Sequence, residues 1–170
     1  MTIKLAAFDV DGVLTDGSLT FDENGHEYKT FNAKDGQGIV NLNKAGIITA
    51  IITARNNGTV EHRAGNLNIT ELHQGSKNKI KTLEEIMAKY NITFEEIAYM
   101  GDDLPDICIL EKVALKGCPN DAVDEVKAIA NFVSSKNGGR GAVREFCDLI
   151  YRLTATEFNP IADSRKGQQD

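Results

Sequence analysis

Residues 5–17 read Leu-Ala-Ala-Phe-Asp-Val-Asp-Gly-Val-Leu-Thr-Asp-Gly, a short apolar run that ends in two closely spaced carboxylates. Such a run is typical of a buried parallel strand. Asp9 and Asp11 follow it at the carboxyl end, which is where α/β proteins bind ligands. Two neighbouring carboxylates repel each other unless a cation lies between them. The stretch therefore predicts an α/β fold with an acidic, cation-binding site after its first strand.

The rest of the chain repeats this alternation of short apolar runs with segments of helical periodicity. The alternation is typical of an α/β fold of the Rossmann-like, doubly wound type with a mainly parallel sheet. The run at 47–52 is apolar on both faces, as expected for a buried strand. Predicted strands cover residues 3–8, 47–53, 69–73, 97–100, 113–116 and 131–133. Predicted helices cover 36–45, a segment capped by Ser76 that carries apolar residues from Ile80 to Tyr90, and 142–153.

Residues 18–31 depart from this strand–helix alternation, because polar and apolar residues alternate there around Asn24-Gly25. Asn-Gly between alternating segments is a strong signal for a β-hairpin, so an inserted hairpin is predicted after the first strand. A chain of 170 residues suits one domain, which we place at residues 1–153. Residues 154–170 are mostly polar and contain Pro160 and Gly167, and we expect them to form a mobile tail.

The bulk composition is that of an ordinary soluble protein, with 41% hydrophobic and 26% charged residues. The net charge of −6 argues against nucleic acid or an acidic membrane as the partner, since both require a basic face. The first apolar run is cut at Asp9, too early for a signal peptide or a membrane span. Three widely spaced cysteines are typical of reduced thiols. A cytoplasmic location is expected.

Further chemically competent residues follow other predicted elements. Thr53 ends the second strand, where a hydroxyl and the following backbone amides can hold phosphate oxygens. Lys79 lies near a helix start and could neutralise charge on a phosphoryl group. Asp102, Asp103 and Asp106 directly follow the strand at 97–100. The order of acid pair, hydroxyl, lysine and second acid cluster predicts phosphoryl chemistry with a hard divalent cation.

With these motifs in this order, the chain resembles the haloacid dehalogenase-like phosphatases over residues 3–153. Within that superfamily it is similar to the small 3-deoxy-D-manno-octulosonate 8-phosphate phosphatases. The stretches that carry this closer resemblance are DVDGVLTDG at 9–17, KDGQGI at 34–39, GDDLPD at 101–106 and GGRGAVREFCDLI at 138–150.

The resemblance implies a role for each catalytic residue. Asp9 would be the nucleophile that forms an aspartyl-phosphate. Asp11 would protonate the leaving sugar oxygen and then act as the base that activates water. Thr53 and Lys79 would hold the transferring phosphoryl group. Residue-based reasoning agrees, because phosphoryl transfer mainly requires positioning and charge neutralisation, and covalent capture divides one difficult step into two.

The resemblance also implies a magnesium site. Asp9 and Asp102 would bind Mg²⁺ through their carboxylates and Asp11 through its backbone carbonyl, with Asp103 and Asp106 in support. One departure from the family pattern lies beside this site, since Ala54 stands where the family usually has glycine. A methyl group there is expected to narrow the phosphate pocket or to require a different backbone angle.

The segments between Asp9 and Thr53 and between Thr53 and Lys79 are too short for a cap domain. An open site would grip a small sugar weakly, so a neighbouring subunit is the expected cover. The resemblance implies the same, because these phosphatases are capless homotetramers whose hairpins cover adjacent sites. The residues that we expect at the substrate-facing rim are Lys34, Asp35, Gly36, Arg55 and Arg63.

Three alternatives compete with this interpretation. A receiver-type signalling domain uses similar residues, but it would place a phospho-accepting aspartate near residues 50–57, where this chain has Thr53. A catalytically silent assembly protein on the same fold would not need the complete set of polar residues. A phosphatase of a nine-carbon sialic-type sugar 9-phosphate is poorly separated by sequence, although the DGQGI stretch at 35–39 favours the eight-carbon sugar acid.

Overall fold

The computed structural model describes residues 2–154, so the predicted mobile tail lies outside the described residues except for Thr154. The strands are β1 (Leu5–Phe8), β2 (Thr20–Phe21), β3 (Glu27–Tyr28), β4 (Ile48–Ile52), β5 (Glu71–His73), β6 (Ile97–Met100), β7 (Leu115–Cys118) and β8 (Phe132–Val133). The helices are α1 (Ala33–Lys44), α2 (Gly58–Asn66), α3 (Lys79–Tyr90), α4 (Ile107–Leu110), α5 (Asp124–Ile129) and α6 (Ala142–Thr154), and short 3₁₀ turns cover Phe94–Glu96 and Leu104–Asp106.

Six strands form one parallel sheet in the order β5-β4-β1-β6-β7-β8. β1 pairs with β4 on one side and β6 on the other, with Phe8 opposite both Ile51 and Met100. The predicted Rossmann-like α/β class is confirmed, and each of the six predicted sheet strands is present within a few residues of its expected bounds. Residues 2–154 contain no cap domain, as expected.

Side chains from β1 alternate between two hydrophobic cores, as a parallel strand covered on both faces requires. Phe8 packs with residues of α1, α2 and α6 on one face, whereas Leu5 packs with residues of α3, α4 and α5 on the other. The edge-to-face contact between Phe8 and Phe146, with ring centroids 6.4 Å apart, joins β1 to α6. β1, which Asp9 directly follows, therefore lies at the centre of a three-layer domain.

α6 starts at Ala142 as predicted, whereas the starts of α1 and α3 differ from prediction because asparagine side chains cap them. Asn32 accepts hydrogen bonds from the backbone N–H groups of Lys34 and Asp35, so α1 begins at Ala33 rather than residue 36. The prediction of Ser76 as a helix cap is wrong. Asn78 caps α3 by accepting from the N–H of Lys81, and the Ser76 hydroxyl pairs instead with Thr82 at 2.7 Å. Lys79 consequently becomes the first residue of α3.

The predicted hairpin is present as the two short antiparallel strands β2 and β3. Asp22 organises its turn, because its carboxylate accepts from the backbone N–H groups of Asn24 and His26 and Gly25 adopts a φ of +82°. Leu19, Phe21 and Tyr28 are each more than half exposed. The hairpin thus presents an apolar surface that its own chain leaves uncovered.

The connections leaving β1 and β6 run in opposite directions, since the chain continues from β1 to β4 and from β6 to β7. A crevice opens at the carboxyl ends of two adjacent strands of this kind, and ligands bind there in open α/β sheets. Asp9 follows β1 and Asp102 lies two residues beyond Met100, the last residue of β6. Within residues 2–154, no helix has the length and apolar character needed to cross a bilayer.

Candidate active site

Asp9 lies at the floor of a cavity of about 360 Å³ at the carboxyl end of β1. Its Oδ1 accepts from the backbone N–H of Val10 at 2.8 Å, and its Oδ2 is 2.9 Å from the Nζ of Lys79. Both carboxylate oxygens therefore have a partner, and the side chain, 13% exposed, still reaches the cavity. This is the arrangement that a positioned nucleophile requires.

Lys79 and Asp106 form a buried support beneath Asp9. The Nζ of Lys79 donates to Asp106 Oδ1 at 2.7 Å, and the Tyr99 hydroxyl donates to the same oxygen at 2.6 Å. Asp106 Oδ2 accepts from the backbone N–H groups of Asp102 and Asp103 at 2.9 and 3.3 Å. Both oxygens of Asp106 are therefore occupied, and the residue positions the loop after β6. Tyr99 was missed by sequence reasoning because a buried strand residue carries no polar signal.

The acidic residues around this support suit a hard divalent cation. One carboxylate oxygen from each of Asp9, Asp102 and Asp106 lies within 4.8 Å of the others. Asp102 Oδ1 is buried and, among the described residues, has no hydrogen-bond donor. Gly12 leaves room for this carboxylate, because a Cβ at Gly12 would lie 2.0 Å from Asp102 Oδ2. Asp106 is fully buried and does not line the cavity, so Asp9 and Asp102, which do, are the carboxylates that fit a metal, with Asp103 at the cavity wall.

The same crowding of charge changes the acidity of these groups. Burial, together with the negative charge of Asp106, raises the pKa of Asp9 from 3.8 to about 6. Burial and the charges of Asp106 and Asp9 raise the pKa of Asp102 to about 8. Two neighbouring carboxylates whose ionised forms are both made less favourable by their surroundings mark a place where a cation would be strongly stabilised. The donor set therefore fits Mg²⁺, for which oxygen ligands are preferred.

Thr53, Ala54 and Arg55 follow β4 and line the cavity beside Asp9. Thr53 is buried with 2% exposure, and its backbone N–H donates to the carbonyl of His73, which holds the end of β4 against β5. Ala54 is not among the residues with positive φ, so its backbone angle suits alanine as well as glycine. The exposed methyl group adds to the cavity wall without backbone strain.

Asp11 also lines the cavity, but a different lysine holds it. The Nζ of Lys29, from the hairpin, lies 2.5 Å from Asp11 Oδ1 and 2.9 Å from Glu27 Oε1. Glu27 in turn pairs with Arg55 at 2.6 Å. Sequence reasoning missed Lys29 and Glu27, since a hairpin of alternating polar residues does not reveal which of them turn inward.

Four of the predicted rim residues lie away from the cavity. Asp35 is buried and accepts from the backbone N–H groups of Gly141 and Arg144, so it caps the start of α6 instead of facing substrate. Gly36 is also buried, and a Cβ there would lie 2.3 Å from the Arg63 guanidinium. Lys34 is exposed on the first turn of α1 and does not line the cavity.

Arg63 donates to the carbonyl of Asn32 and lies over the ring of Phe31, at a second cavity of about 530 Å³. Of the predicted rim residues, Arg55 is the one that the structure places at the first cavity. Phe31 is partly buried and packs on the core, so it does not belong to the exposed apolar surface formed by Leu19, Phe21 and Tyr28.

The glycine-rich segment before α6 supports the loop that carries Asp11. A Cβ at Gly138 would lie 1.8 Å from the carbonyl oxygen of Gly12, so only glycine fits there. The backbone N–H of Gly139 donates to the Val13 carbonyl at 2.9 Å. These contacts join the stretch at 138–150 to the loop that carries Asp11, although none of its residues lines the cavity.

Comparison with known proteins agrees with this geometry. The family model for haloacid dehalogenase-like hydrolases matches residues 62–146. The 3-deoxy-D-manno-octulosonate 8-phosphate phosphatase of Escherichia coli is 45% identical over 148 residues, covering 87% of this chain and 79% of that protein.

Two solved structures are closely similar. A probable phosphatase of the YrbI family from Pseudomonas syringae has a TM-score of 0.93 at 43% identity, over 99% of this chain and 95% of that one. The 3-deoxy-D-manno-octulosonate 8-phosphate phosphatase of Moraxella catarrhalis, solved with magnesium, phosphate and KDO, has a TM-score of 0.86 at 39% identity, over 88% and 86%. The chain therefore belongs to the haloacid dehalogenase-like hydrolases, in the family of the 3-deoxy-D-manno-octulosonate 8-phosphate phosphatases.

Proposed function

We propose that this protein is a magnesium-dependent phosphatase that hydrolyses 3-deoxy-D-manno-octulosonate 8-phosphate through an aspartyl-phosphate on Asp9. The observation that carries the chemistry is the Asp9 carboxylate, held at the cavity floor by Lys79 and by the Val10 N–H. The substrate is supported by the relatives that bear this activity in their names and by the neighbour that holds magnesium, phosphate and KDO. Thr53 stands where a receiver domain would need its phospho-accepting aspartate, so the signalling alternative is not supported.

The residues divide the reaction into two balanced steps. In the first, an Asp9 oxygen attacks phosphorus, the bond to the sugar oxygen breaks, and Asp11 donates a proton to that oxygen. In the second, the Asp11 carboxylate takes a proton from water, the water oxygen attacks phosphorus, and the Asp9–phosphorus bond breaks to release phosphate. Thr53 and Lys79 hold the phosphoryl oxygens in both steps, which is the positioning that phosphoryl transfer depends on.

A bound Mg²⁺ would neutralise the negative charge that gathers between the phosphoryl group and the surrounding carboxylates. Asp9 and Asp102 would hold it through their carboxylates and Asp11 through its backbone carbonyl. Asp106 would keep the Asp102 loop in place through its two backbone hydrogen bonds. The exposed Asp103 caps the turn at Leu104–Asp106 and would support the site from its edge.

The function is tested by hydrolysis of two sugar-acid phosphates side by side, the eight-carbon 8-phosphate and a sialic-type nine-carbon 9-phosphate. We expect the eight-carbon substrate to have the higher kcat/KM, with activity lost in a chelator and restored by Mg²⁺. A preference for the nine-carbon substrate would reassign the substrate and leave the chemistry intact. Absence of phosphatase activity on both compounds in excess Mg²⁺ would overturn the proposal.

Stabilisation by Mg²⁺ is expected to increase with pH between about 5 and 8. The raised pKa values of Asp9 and Asp102, about 6 and about 8, mean that the unfolded chain loses these protons more readily than the metal-free fold. Their contribution to stability is complete below the unfolded pKa and is lost as pH rises through the folded values. A bound cation takes the place of the protons on Asp9 and Asp102, so the folded protein keeps its stability as pH rises. At one Mg²⁺ concentration, about a hundredfold above the Kd at pH 8, we expect the melting temperature to rise by about 5–10 °C at pH 8 and far less at pH 5, where protons compete for the carboxylates.

Thermal unfolding with and without Mg²⁺ at both pH values measures this difference. Na⁺ at equal ionic strength separates binding at the site from screening, because a monovalent salt screens charge without occupying a divalent site. An equal Mg²⁺ increment at pH 5 and pH 8 would contradict the assignment of Asp9 and Asp102 as the metal-binding carboxylates.

We further propose that the protein is a homotetramer in which hairpins of neighbouring subunits associate and cover one another's sites. A two-stranded hairpin is marginally stable alone, and contiguous exposed apolar residues mark an interaction surface. Leu19, Phe21 and Tyr28 are such a set, and Leu19 also lines the cavity that contains Asp9. Self-complementary surfaces usually form closed symmetric assemblies.

The expected cytoplasmic location remains a prediction.

Placing charge on this hairpin is expected to dissociate the assembly. Phe21→Asp combined with Tyr28→Asp should lower the mass measured by light scattering from four chains to one. KM for the sugar phosphate should rise at least about tenfold, which corresponds to about 1.4 kcal/mol of binding free energy. KM for a small aryl phosphate should change little, because only the larger substrate reaches the hairpins of the neighbouring subunit. Val133→Glu, on the edge strand β8 of the six-stranded sheet and 45% exposed, is the matched control. A monomeric unmodified protein with full activity would refute the assembly.

A further inference from the structure

Lys29 is a buried cation in an otherwise exposed hairpin. Its side chain is 2% exposed, whereas the preceding Tyr28 is 56% exposed. The ammonium group lies between two carboxylates, 2.5 Å from Asp11 Oδ1 and 2.9 Å from Glu27 Oε1. Burying an ammonium is costly unless it is paired, so these two contacts account for the inward turn of the side chain.

The pairing extends into a chain of four alternating charges. Glu27 Oε2 lies 2.6 Å from the guanidinium of Arg55, so the order is Asp11, Lys29, Glu27 and Arg55. The chain contains two cations and two anions and is neutral as a whole. It joins the loop after β1, strand β3 and the loop after β4. The hairpin is therefore linked to the carboxylate of Asp11 through these ion pairs.

Lys29 approaches Asp11 from outside the reaction cavity. Asp11 and Arg55 line the cavity that contains Asp9, whereas Lys29 lines the second cavity, beside α2. Each of the two carboxylates after β1 has its own lysine partner. Lys79 pairs with Asp9, and Lys29 pairs with Asp11. Lys29 thus lies where it can fix the orientation of Asp11 without touching a phosphoryl group bound over Asp9.

We propose that Lys29 is a positioning residue for proton transfer by Asp11, and that Glu27 and Arg55 hold it in place. The inference rests on the proposed phosphatase function and adds to it a residue that couples the hairpin to the acid–base step. Misplacement of a catalytic group by about 1 Å can cost about a hundredfold in rate. The loss should fall on substrates whose leaving oxygen needs a proton, because an aryl oxide leaves without one.

The test compares leaving groups in single-turnover reactions of the magnesium-loaded enzyme. For Lys29→Met, release of sugar from 3-deoxy-D-manno-octulosonate 8-phosphate should slow about a hundredfold. The burst of nitrophenolate from p-nitrophenyl phosphate should change less than about threefold, since its leaving oxide needs no proton. Lys29→Arg should recover part of the lost rate, since it keeps the charge. Lys44→Met, an exposed lysine in the last turn of α1, is the matched control.

Asp11→Asn provides the benchmark for the acid role itself. Adding Lys29→Met to Asp11→Asn should cause little further loss, because residues that act as one unit are not additive. If Lys29→Met alone unfolds, the double variant Glu27→Gln with Lys29→Met takes its place in the same assays. It removes one charge of each sign and so leaves the net charge unchanged. Equal loss on both substrates, or full additivity with Asp11→Asn, would overturn the role of Lys29. An inactive unmodified enzyme would instead overturn the proposed function.

Discussion

Replacing Asp9 with asparagine is expected to lower turnover at least about a thousandfold, because an amide oxygen cannot form the covalent phosphoryl intermediate. The substitution is nearly isosteric, and the amide oxygen can keep the bond from the Val10 N–H. Burial already makes the ionised form of Asp9 unfavourable, as its pKa of about 6 indicates, so loss of the charge should not unfold the protein. Steady-state hydrolysis of the sugar phosphate, with thermal unfolding as the check on the fold, measures both effects.

Asp148→Asn is the matched control for Asp9→Asn. Asp148 lies on α6, is partly exposed and pairs with Arg144 on the same helix face, so its loss should leave turnover within about twofold, as is usual for surface substitutions away from special features. If Asp9→Asn kept more than about a hundredth of the turnover of the unmodified enzyme, the covalent route would be wrong, since loss of a nucleophile costs several powers of ten.

The residues that were predictable from sequence are those whose position depends on a strand end. Asp9, Thr53 and Asp102 follow buried strands, and parallel strands bring their carboxyl ends to one edge of the sheet. Periodicity and apolar runs are therefore sufficient to group these three residues. The hairpin turn was predictable for a local reason too, because Asn-Gly signals a tight turn and Gly25, with a φ of +82°, occupies the left-handed region that glycine favours.

Other residues depend on contacts between distant parts of the chain, which local patterns do not encode. Lys29 meets Asp11 across 18 positions, and Asp35 meets Arg144 across 109. Asp35 was expected at the substrate rim because it lies beside the hairpin in sequence. It is instead buried at the start of α6, where its carboxylate satisfies two backbone N–H groups that the helix leaves unpaired. Only the packing of α1 against α6 determines this role.

Lys79→Met is expected to damage both activity and stability. Lys79 is 5% exposed, and its ammonium lies 2.9 Å from Asp9 Oδ2 and 2.7 Å from Asp106 Oδ1. Burial lowers the pKa of Lys79, but the charges of Asp9 and Asp106 outweigh it, so the pKa is raised and the ammonium form persists. Methionine would fill the space and leave both carboxylates without their cation. Removing one partner of a buried ion pair typically costs about 3–5 kcal/mol. Loss of one group that stabilises developing charge typically costs at least about a hundredfold in turnover.

The stability loss in Lys79→Met should depend on pH in a direction that identifies its cause. Without Lys79, the pKa values of Asp9 and Asp102 should rise further, since each is lowered by the lysine charge. Protonation then relieves the repulsion at low pH, and the urea midpoint should fall steeply as pH rises from about 5 to 8. Lys81→Met, an exposed lysine on the same helix, should change the free energy of unfolding by less than about 0.5 kcal/mol at both pH values. A variant as stable at pH 8 as at pH 5, with more than about a tenth of the original turnover, would show that Lys79 does not neutralise this site, since loss of a charge-stabilising group costs more than that.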